Sequence, residues 1–222
     1  TPALAGPSGG VVTAGQASIG GSPGALTITQ GSQKAAINWD SFNIGAGESV
    51  RFVQPNAQSV ALNRVVGGDP SRILGSLSAN GQVFLVNPSG ILFGANASVN
   101  VGGLVASTLN IATRDFMAGH YRFSGNGSAA KLLNQGSISA PGGVVALLGA
   151  EVANEGVISA RLGSVALAAG QAITLDLAGD GLLNVAVDQG AVGALVRNGG
   201  LIQAHGGSVL LTAQAAGDLL KT

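Results

Sequence analysis

Asn134-Gln-Gly-Ser-Ile-Ser-Ala-Pro-Gly-Gly-Val-Val-Ala-Leu-Leu-Gly149 is followed by a near copy, Asn154-Glu-Gly-Val-Ile-Ser-Ala-Arg-Leu-Gly-Ser-Val-Ala-Leu-Ala-Ala-Gly170. A third copy reads Asn198-Gly-Gly-Leu-Ile-Gln-Ala-His-Gly-Gly-Ser-Val-Leu-Leu-Thr-Ala213. All three share Asn-x-Gly-x-Ile-x-Ala-x-x-Gly-x-Val-x-Leu. The first two start 20 residues apart; the third starts 44 after the second, which reads as two periods plus about four residues. Apolar residues alternate within each copy: Ile138, Ala140, Val144 or Val145, Leu147; then Ile158, Ala160, Val165, Leu167; then Ile202, Ala204, Val209, Leu211. A period of two is the signature of a strand with one buried face. Gly pairs and Asn-x-Gly steps between the strands supply corners that need positive φ. A 20-residue unit of two or three short strands cannot bury its inward side alone, so units must stack. The predicted fold is all-β, a parallel β-helix with rungs of about 20 residues.

The composition follows the same design. Of 222 residues 37 are Gly, more than twice the usual share of about 7%. Charged residues make up 9%, aromatics 4%, and the net charge is zero. With no cationic excess there is nothing to neutralise phosphates, which argues against nucleic acid as a partner. High apolar content excludes a disordered chain, and Gly without a three-residue period excludes collagen. Mean hydropathy is +0.43, and no charge occurs from Ile73 to Thr113. Asn80, Gln82, Asn87, Pro88, Asn96 and Asn100 interrupt that stretch, so it reads as short buried strands rather than a span of about 20 apolar residues, and the chain is not membrane-spanning. Cysteine is absent, which removes disulfides and thiolate metal sites.

Ala95 to Ser107, Gln82 to Val86 and Ser49 to Val53 extend the strand pattern into the N-terminal half, and seven to nine rungs fit the chain after insertions are subtracted. Residues 114–131 break the pattern and hold Phe116, Met117, His120, Tyr121 and Phe123, so they are predicted to leave the helix and pack outside it. Residues 171–190 alternate on both sides of Gly179-Asp180-Gly181, which predicts an extra-helical hairpin. Residues 6–30 are assigned as an N-terminal cap over the open edge. Residues 1–5 contain Ala3-x-Ala5, read as a signal-peptide remnant or a chance match in an Ala-rich chain. The pattern runs to the end without a cap signature, so the expectation is one β-helical domain over 6–222, with any effector part beyond Thr222.

No chemistry-bearing constellation stands out. The ten acids are scattered; Asp176 and Asp188 face each other across the predicted hairpin at most as solvated charges, and Asp180 reads as a turn residue. His120 and His205 have no partners at metal-ligand spacing, so neither a metal nor another cofactor is expected. The 14 Asn include Asn63, Asn80, Asn87, Asn134, Asn154 and Asn198 at presumed corners, where stacked amides form hydrogen-bonded ladders. Trp39 and Phe42 are assigned to the core of the first rungs.

One segment goes beyond a generic solenoid. It reads Ile37-Asn-Trp-Asp-Ser-Phe-Asn-Ile44, Val50-Arg-Phe-Val-Gln-Pro55, Ala61-Leu-Asn-Arg-Val65, Ser71-Arg-Ile-Leu-Gly-Ser-Leu77, Asn80-Gly-Gln-Val-Phe-Leu-Val-Asn-Pro-Ser-Gly-Ile-Leu-Phe-Gly94 and Val101-Gly-Gly-Leu-Val-Ala-Ser-Thr108. This order closely resembles the N-terminal secretion domain of two-partner-secretion exoproteins of the filamentous haemagglutinin type. The resemblance implies a right-handed β-helix and a module at the head of a large secreted adhesin or exoprotein. It implies recognition by the periplasmic domains of a cognate outer-membrane β-barrel transporter, passage through the periplasm, and folding at the surface of a Gram-negative bacterium. Asn63 and the turn Asn87, Pro88, Ser89 and Gly90 are the candidate recognition and turn residues. Ser89 departs from the family's usual Asn at that place; the turn is expected to survive the exchange. The resemblance also leaves room for host or matrix glycans as ligands of the full-length protein. Two other readings compete: a carbohydrate- or receptor-binding adhesin domain using segments 114–131 and 171–190, and a β-helical polysaccharide-degrading enzyme, which lacks its carboxylate cluster here.

Overall fold

The computed structural model describes residues 6–177 and 183–216. The chain winds as a parallel β-helix with three faces. Face A carries Lys34–Trp39, Val60–Val65, Gln82–Val86, Gly103–Ser107, Val144–Gly149, Ser164–Ala169 and Ser208–Ala213 in parallel register. Face B carries Ala25–Gln30, Ser49–Val53, Ser76–Ala79, Ser98–Asn100, Ser137–Ser139, Val157–Ser159 and Leu201–Gln203. Face C is narrower, with Ser71–Ile73, Ile91–Phe93, Lys131–Asn134, Glu151–Asn154 and Leu195–Asn198, and Ile44 bridges to Ile73 ahead of them. Each rung runs face B, face A, face C, so the described residues make seven rungs.

The 44-residue spacing between the second and third repeats is not two periods. Val165 stacks directly on Val209, and Asn154 on Asn198, so those repeats are adjacent rungs. The extra residues are spent on an excursion: Ala172–Asp176 and Asn184–Gln189 pair antiparallel outside the helix. The Gly179-Asp180-Gly181 tip lies outside the described residues, as do residues 1–5. Asp176 faces Asn184 rather than Asp188; Asp188 lies at a bulge beside Ala172 and accepts a hydrogen bond from the Thr174 hydroxyl.

At the N-terminal end Val11–Ala14 and Ala17–Ser22 lie antiparallel on the first strands of faces A and B. The chain then reverses at Gly24 (φ +78°), and Ala25–Gln30 already pairs in parallel with Ser49–Val53. The antiparallel cover is therefore shorter than 6–30. It sits on Trp39, against which Gly10 packs so closely that a Cβ there would come within 2.5 Å of the indole.

Alternation along the strands builds the inner core. Ile138, Ala140, Val145, Leu147, Ile158, Ala160, Val165 and Leu167 all point into the bore and are buried. Face A is different from the other two, because its outward side is buried as well. Ala36, Val60, Leu62, Phe84, Val86, Val105, Ala146, Leu148 and Ala168 form a second core there, beneath the excursions. Strands buried on both sides read as unbroken apolar runs, as in Val83-Phe-Leu-Val86 and Val144-Val-Ala-Leu-Leu148.

The corner glycines divide into two kinds. Gly142 and Gly206 have positive φ, and Leu162 occupies the same corner position with φ +61°. The glycine after each is required for closeness instead. A Cβ on Gly163 would lie 1.9 Å from the Gly143 carbonyl oxygen, and one on Gly207 would lie 1.7 Å from that of Gly163.

Candidate functional site

The sequence singled out five residues, and the structure places them in two neighbouring rungs. Asn87-Pro88-Ser89-Gly90 forms the corner between a face A strand, Gln82–Val86, and a face C strand, Ile91–Phe93. The Gly90 N–H donates to the Asn87 carbonyl (3.1 Å), and the Ser89 N–H donates to Asn87 Oδ1 (2.9 Å). Pro88 supplies the fixed φ that such a turn uses at its second position. Gly90 has φ +122°, a conformation costly for any residue with a Cβ. The Asn87 side chain is fully buried and donates through Nδ2 to the Asp69 carbonyl (3.0 Å) and to Ser71 Oγ (2.9 Å). Its own N–H donates to Ser107 O (2.9 Å) on the following rung. One Asn thus closes the turn and sutures three rungs together. None of these bonds uses the Ser89 hydroxyl.

Asn63 is not at a turn. It sits in the middle of Val60–Val65 and points into the bore, because Ala61 and Val65 on either side of it are inward residues. Its Oδ1 accepts the Trp39 Nε1–H (3.0 Å), and its Nδ2 donates to the Ala61 and Phe84 carbonyls. The Asn-Arg-Val motif therefore serves the interior of the first rungs. Asn134, Asn154 and Asn198 do form a ladder: each Nδ2 donates to the next Oδ1 at 2.8 Å.

The turn is a ridge between two hollows. Pro88 borders one of about 260 Å³ with Thr108, Asn110, Ser124 and Asn126. Ser89 and Gly90 border a more apolar one of about 300 Å³, with Arg72, Leu92, Lys131 and Leu133. The charged groups nearby are engaged or solvated. Lys131 pairs with Glu151 (2.8 Å), and Arg197 with Glu155, both at the surface. No cluster of three or more His, Asp or Glu able to hold a metal ion occurs among the described residues. Among them, too, no helix is long and apolar enough to cross a membrane.

The sequence reading missed two polar arrangements. Gln30 and Gln54 stack in the corner between faces B and A, and Gln54 Nε2 donates to Gln30 Oε1 and to the Ser59 and Gln82 carbonyls. Lys34 and Arg64 reach outward from face A. Lys34 Nζ donates to the Phe116 and Met117 carbonyls, and Arg64 donates to Asn38, Asn110, Ile111 and Thr113. Burial pulls the pKa values of both cations below their ordinary range. The available signal was the two-sided apolar character of face A, which requires something to cover the side on which these cations stand.

With a β-helix, a capped first rung and a sutured Asn-Pro-x-Gly corner in place, comparison with known proteins is informative. The family model for the TPS secretion domain matches residues 3–222. The chain belongs to the TPS secretion domain family. A heme/hemopexin-binding protein of Haemophilus influenzae strain Rd is 37% identical over 222 aligned residues, covering 96% of this chain and 24% of that protein. A second Haemophilus influenzae protein of the same description is 43% identical over 111 residues, covering 50% of this chain and 12% of its own length. The chain thus spans a quarter or less of these relatives. The HMW1 secretion domain of Haemophilus influenzae superposes with TM-score 0.83 at 35% identity, over 93% of this chain and 57% of that one. The filamentous hemagglutinin secretion domain superposes with TM-score 0.58 at 13% identity, over 95% and 99% of the respective chains, which supports the fold alone. The function that goes with the family is that of a secretion module, and the two-partner-secretion resemblance seen in the sequence is borne out.

Proposed function

We propose that this secretion domain is read by the periplasmic domains of a cognate outer-membrane β-barrel transporter while it is still unfolded, and that it folds into its β-helix at the bacterial surface. The observation that carries the reading is the burial of Asn63 and Asn87, whose side chains have no exposed surface in the folded domain. A partner that uses these residues must meet them before the rungs close. Extended segments with alternating apolar residues suit addition to a sheet edge, in which main-chain hydrogen bonds supply affinity and alternate side chains supply specificity. A chain without cysteine has no disulfide to block passage. Folding on the far side then opposes return, since each added rung buries apolar surface. Binding of host or matrix glycans is assigned to the full-length exoprotein, and the fold here serves export rather than catalysis.

The test is capture of the urea-unfolded chain by the transporter's periplasmic domains. Capture should fail when residues 34–112 are scrambled and weaken for Asn63→Ala and Asn87→Ala. Equal capture of native and scrambled chains would defeat the proposal.

A further inference from the structure

The outer side of face A is closed by chain that arrives late. Residues 110–124 follow three complete rungs and two strands of the fourth in the sequence, yet they reach back to side chains of the first three. Phe116, in the helix Thr113–Ala118, packs on Phe84 with ring centroids 5.5 Å apart, and Tyr121 packs on the same ring at 5.1 Å. Lys34, on the first rung, holds the Phe116 and Met117 carbonyls at 3.3 and 3.1 Å and stands 5.7 Å from the Tyr121 ring centre. Arg64, on the second, holds Asn110 Oδ1 and Thr113 Oγ1 at 2.9 Å, together with the Ile111 carbonyl. Neither cation has a carboxylate partner among the described residues; both bond neutral oxygens of the excursion, and Arg64 bonds Asn38 of the first rung as well. The excursion then recruits a still later segment, since Tyr121–Ser124 pairs with Ala172–Asp176.

While the chain emerges from its N-terminus, the inward Ala61, Val65, Val83 and Leu85 have an inner core to join, but the outward Val60, Leu62, Phe84 and Val86 have no cover. Early rungs carry the loop-closure cost of non-local pairing with only part of the burial that offsets it. We propose that Arg64 and Lys34 are the positioning residues of a latch formed by residues 110–124, and that the first three rungs close only when this latch docks on them. The consequence for export is that the stretch containing Asn63 and Asn87 stays open until the chain has emerged at least to residue 124. The timing claim concerns folding alone and stands whether or not a transporter reads those residues.

The test is refolding of the full chain from urea with pulsed amide hydrogen exchange. The amides of Val60–Val65 and Gln82–Val86 should gain protection in the same kinetic phase as those of Tyr121–Ser124. Protection of the two early strands in a faster phase than Tyr121–Ser124 would overturn the latch. Arg64→Gln should slow the shared phase by about tenfold, because charge-assisted bonds made in the rate-limiting step are lost. Arg64→Lys keeps the charge without the planar fork and should slow it less. A shared phase at the wild-type rate in Arg64→Gln would remove Arg64 from the role, and the wild-type measurement decides the latch itself even if that variant fails to fold.

Discussion

Trp39 donates its indole N–H to Asn63 Oδ1 at 3.0 Å inside the bore, so the first and second rungs are joined by a side-chain bond as well as by their strands. The partners are 24 residues apart and both fully enclosed. Phe42 meets the same indole edge-on at 5.5 Å, and the antiparallel cover closes over it. A polar pair in an aliphatic bore is tolerable only because each atom is satisfied: no buried side-chain N or O among the described residues lacks a partner.

Asn63→Ala should therefore cost more than a surface Asn. It strands the Trp39 N–H in an apolar interior, a penalty of about 1–3 kcal/mol. Urea unfolding followed by the fluorescence of Trp39, the sole tryptophan, measures the loss directly. Asn63→Ala at wild-type stability would mean that the bond contributes nothing net.

Two adjacent residues make opposite predictions about the corners. Gly163→Ala places a Cβ 1.9 Å from the Gly143 carbonyl, a clash between backbones that no rotamer relieves, and the variant should lose more than about 3 kcal/mol. Leu162 is 72% exposed and holds a left-handed φ of +61°. Leu162→Gly relieves strain of about 1–2 kcal/mol against a smaller entropic loss, so a net gain of about 0.5 kcal/mol is expected. Thermal unfolding of the two single variants checks both signs.

How much of this was legible beforehand depended on which side of a strand a residue faced. Inward positions such as Ile138, Leu147, Ile158 and Leu167 follow from period two, because successive side chains of a strand point alternately into the bore and away from it. The Asn134–Asn154–Asn198 ladder follows from their equal places in the repeat. Asn63 was misplaced at a corner because Asn usually marks turns; only its alternation with Ala61 and Val65 puts it inside. The partners of Arg64 could not be named from the sequence, since all but Asn38 lie on a segment that begins 46 residues later; only the need for a cover on the outer side of face A was visible. The 44-residue gap was misread for the same reason: a period cannot distinguish an extra rung from an excursion that returns to its own corner.

The Asn-Pro-x-Gly corner separates turn geometry from side-chain identity. The turn is closed through the main-chain N–H groups of Ser89 and Gly90, so Ser89→Asn should change stability by no more than about 0.5 kcal/mol. Gly90→Ala forces a Cβ into φ +122° and should cost about 1–3 kcal/mol. Asn87→Ala removes the turn bond and both bonds to the preceding rung, and should cost more than Ser89→Asn by a wide margin. Denaturation midpoints for the three variants rank these effects, and a Ser89→Asn loss as large as that of Asn87→Ala would show that the third side chain helps hold the turn.

The aromatic cluster under the latch predicts an alkaline limit on stability. Burial raises the Tyr121 phenol above its ordinary pKa of 10.0. The unfolded chain then gives up this proton first, so above pH 10 the folded state binds more protons than the unfolded one. Its stabilising contribution is intact below the unfolded value and is lost as pH rises through the folded one. Lys34 works in the other direction: burial lowers its pKa from 10.5, so stability rises with pH between its folded value and 10.5. Tyr121 is the only tyrosine, which makes its phenolate absorbance an unambiguous reporter. That absorbance should titrate above 10.0 in the folded chain and at the ordinary value in denaturant. Tyr121→Phe should abolish the fall in the urea midpoint above pH 10 and leave the Lys34 rise visible beneath it. A fall of the same size in Tyr121→Phe would place the alkaline transition elsewhere in the molecule.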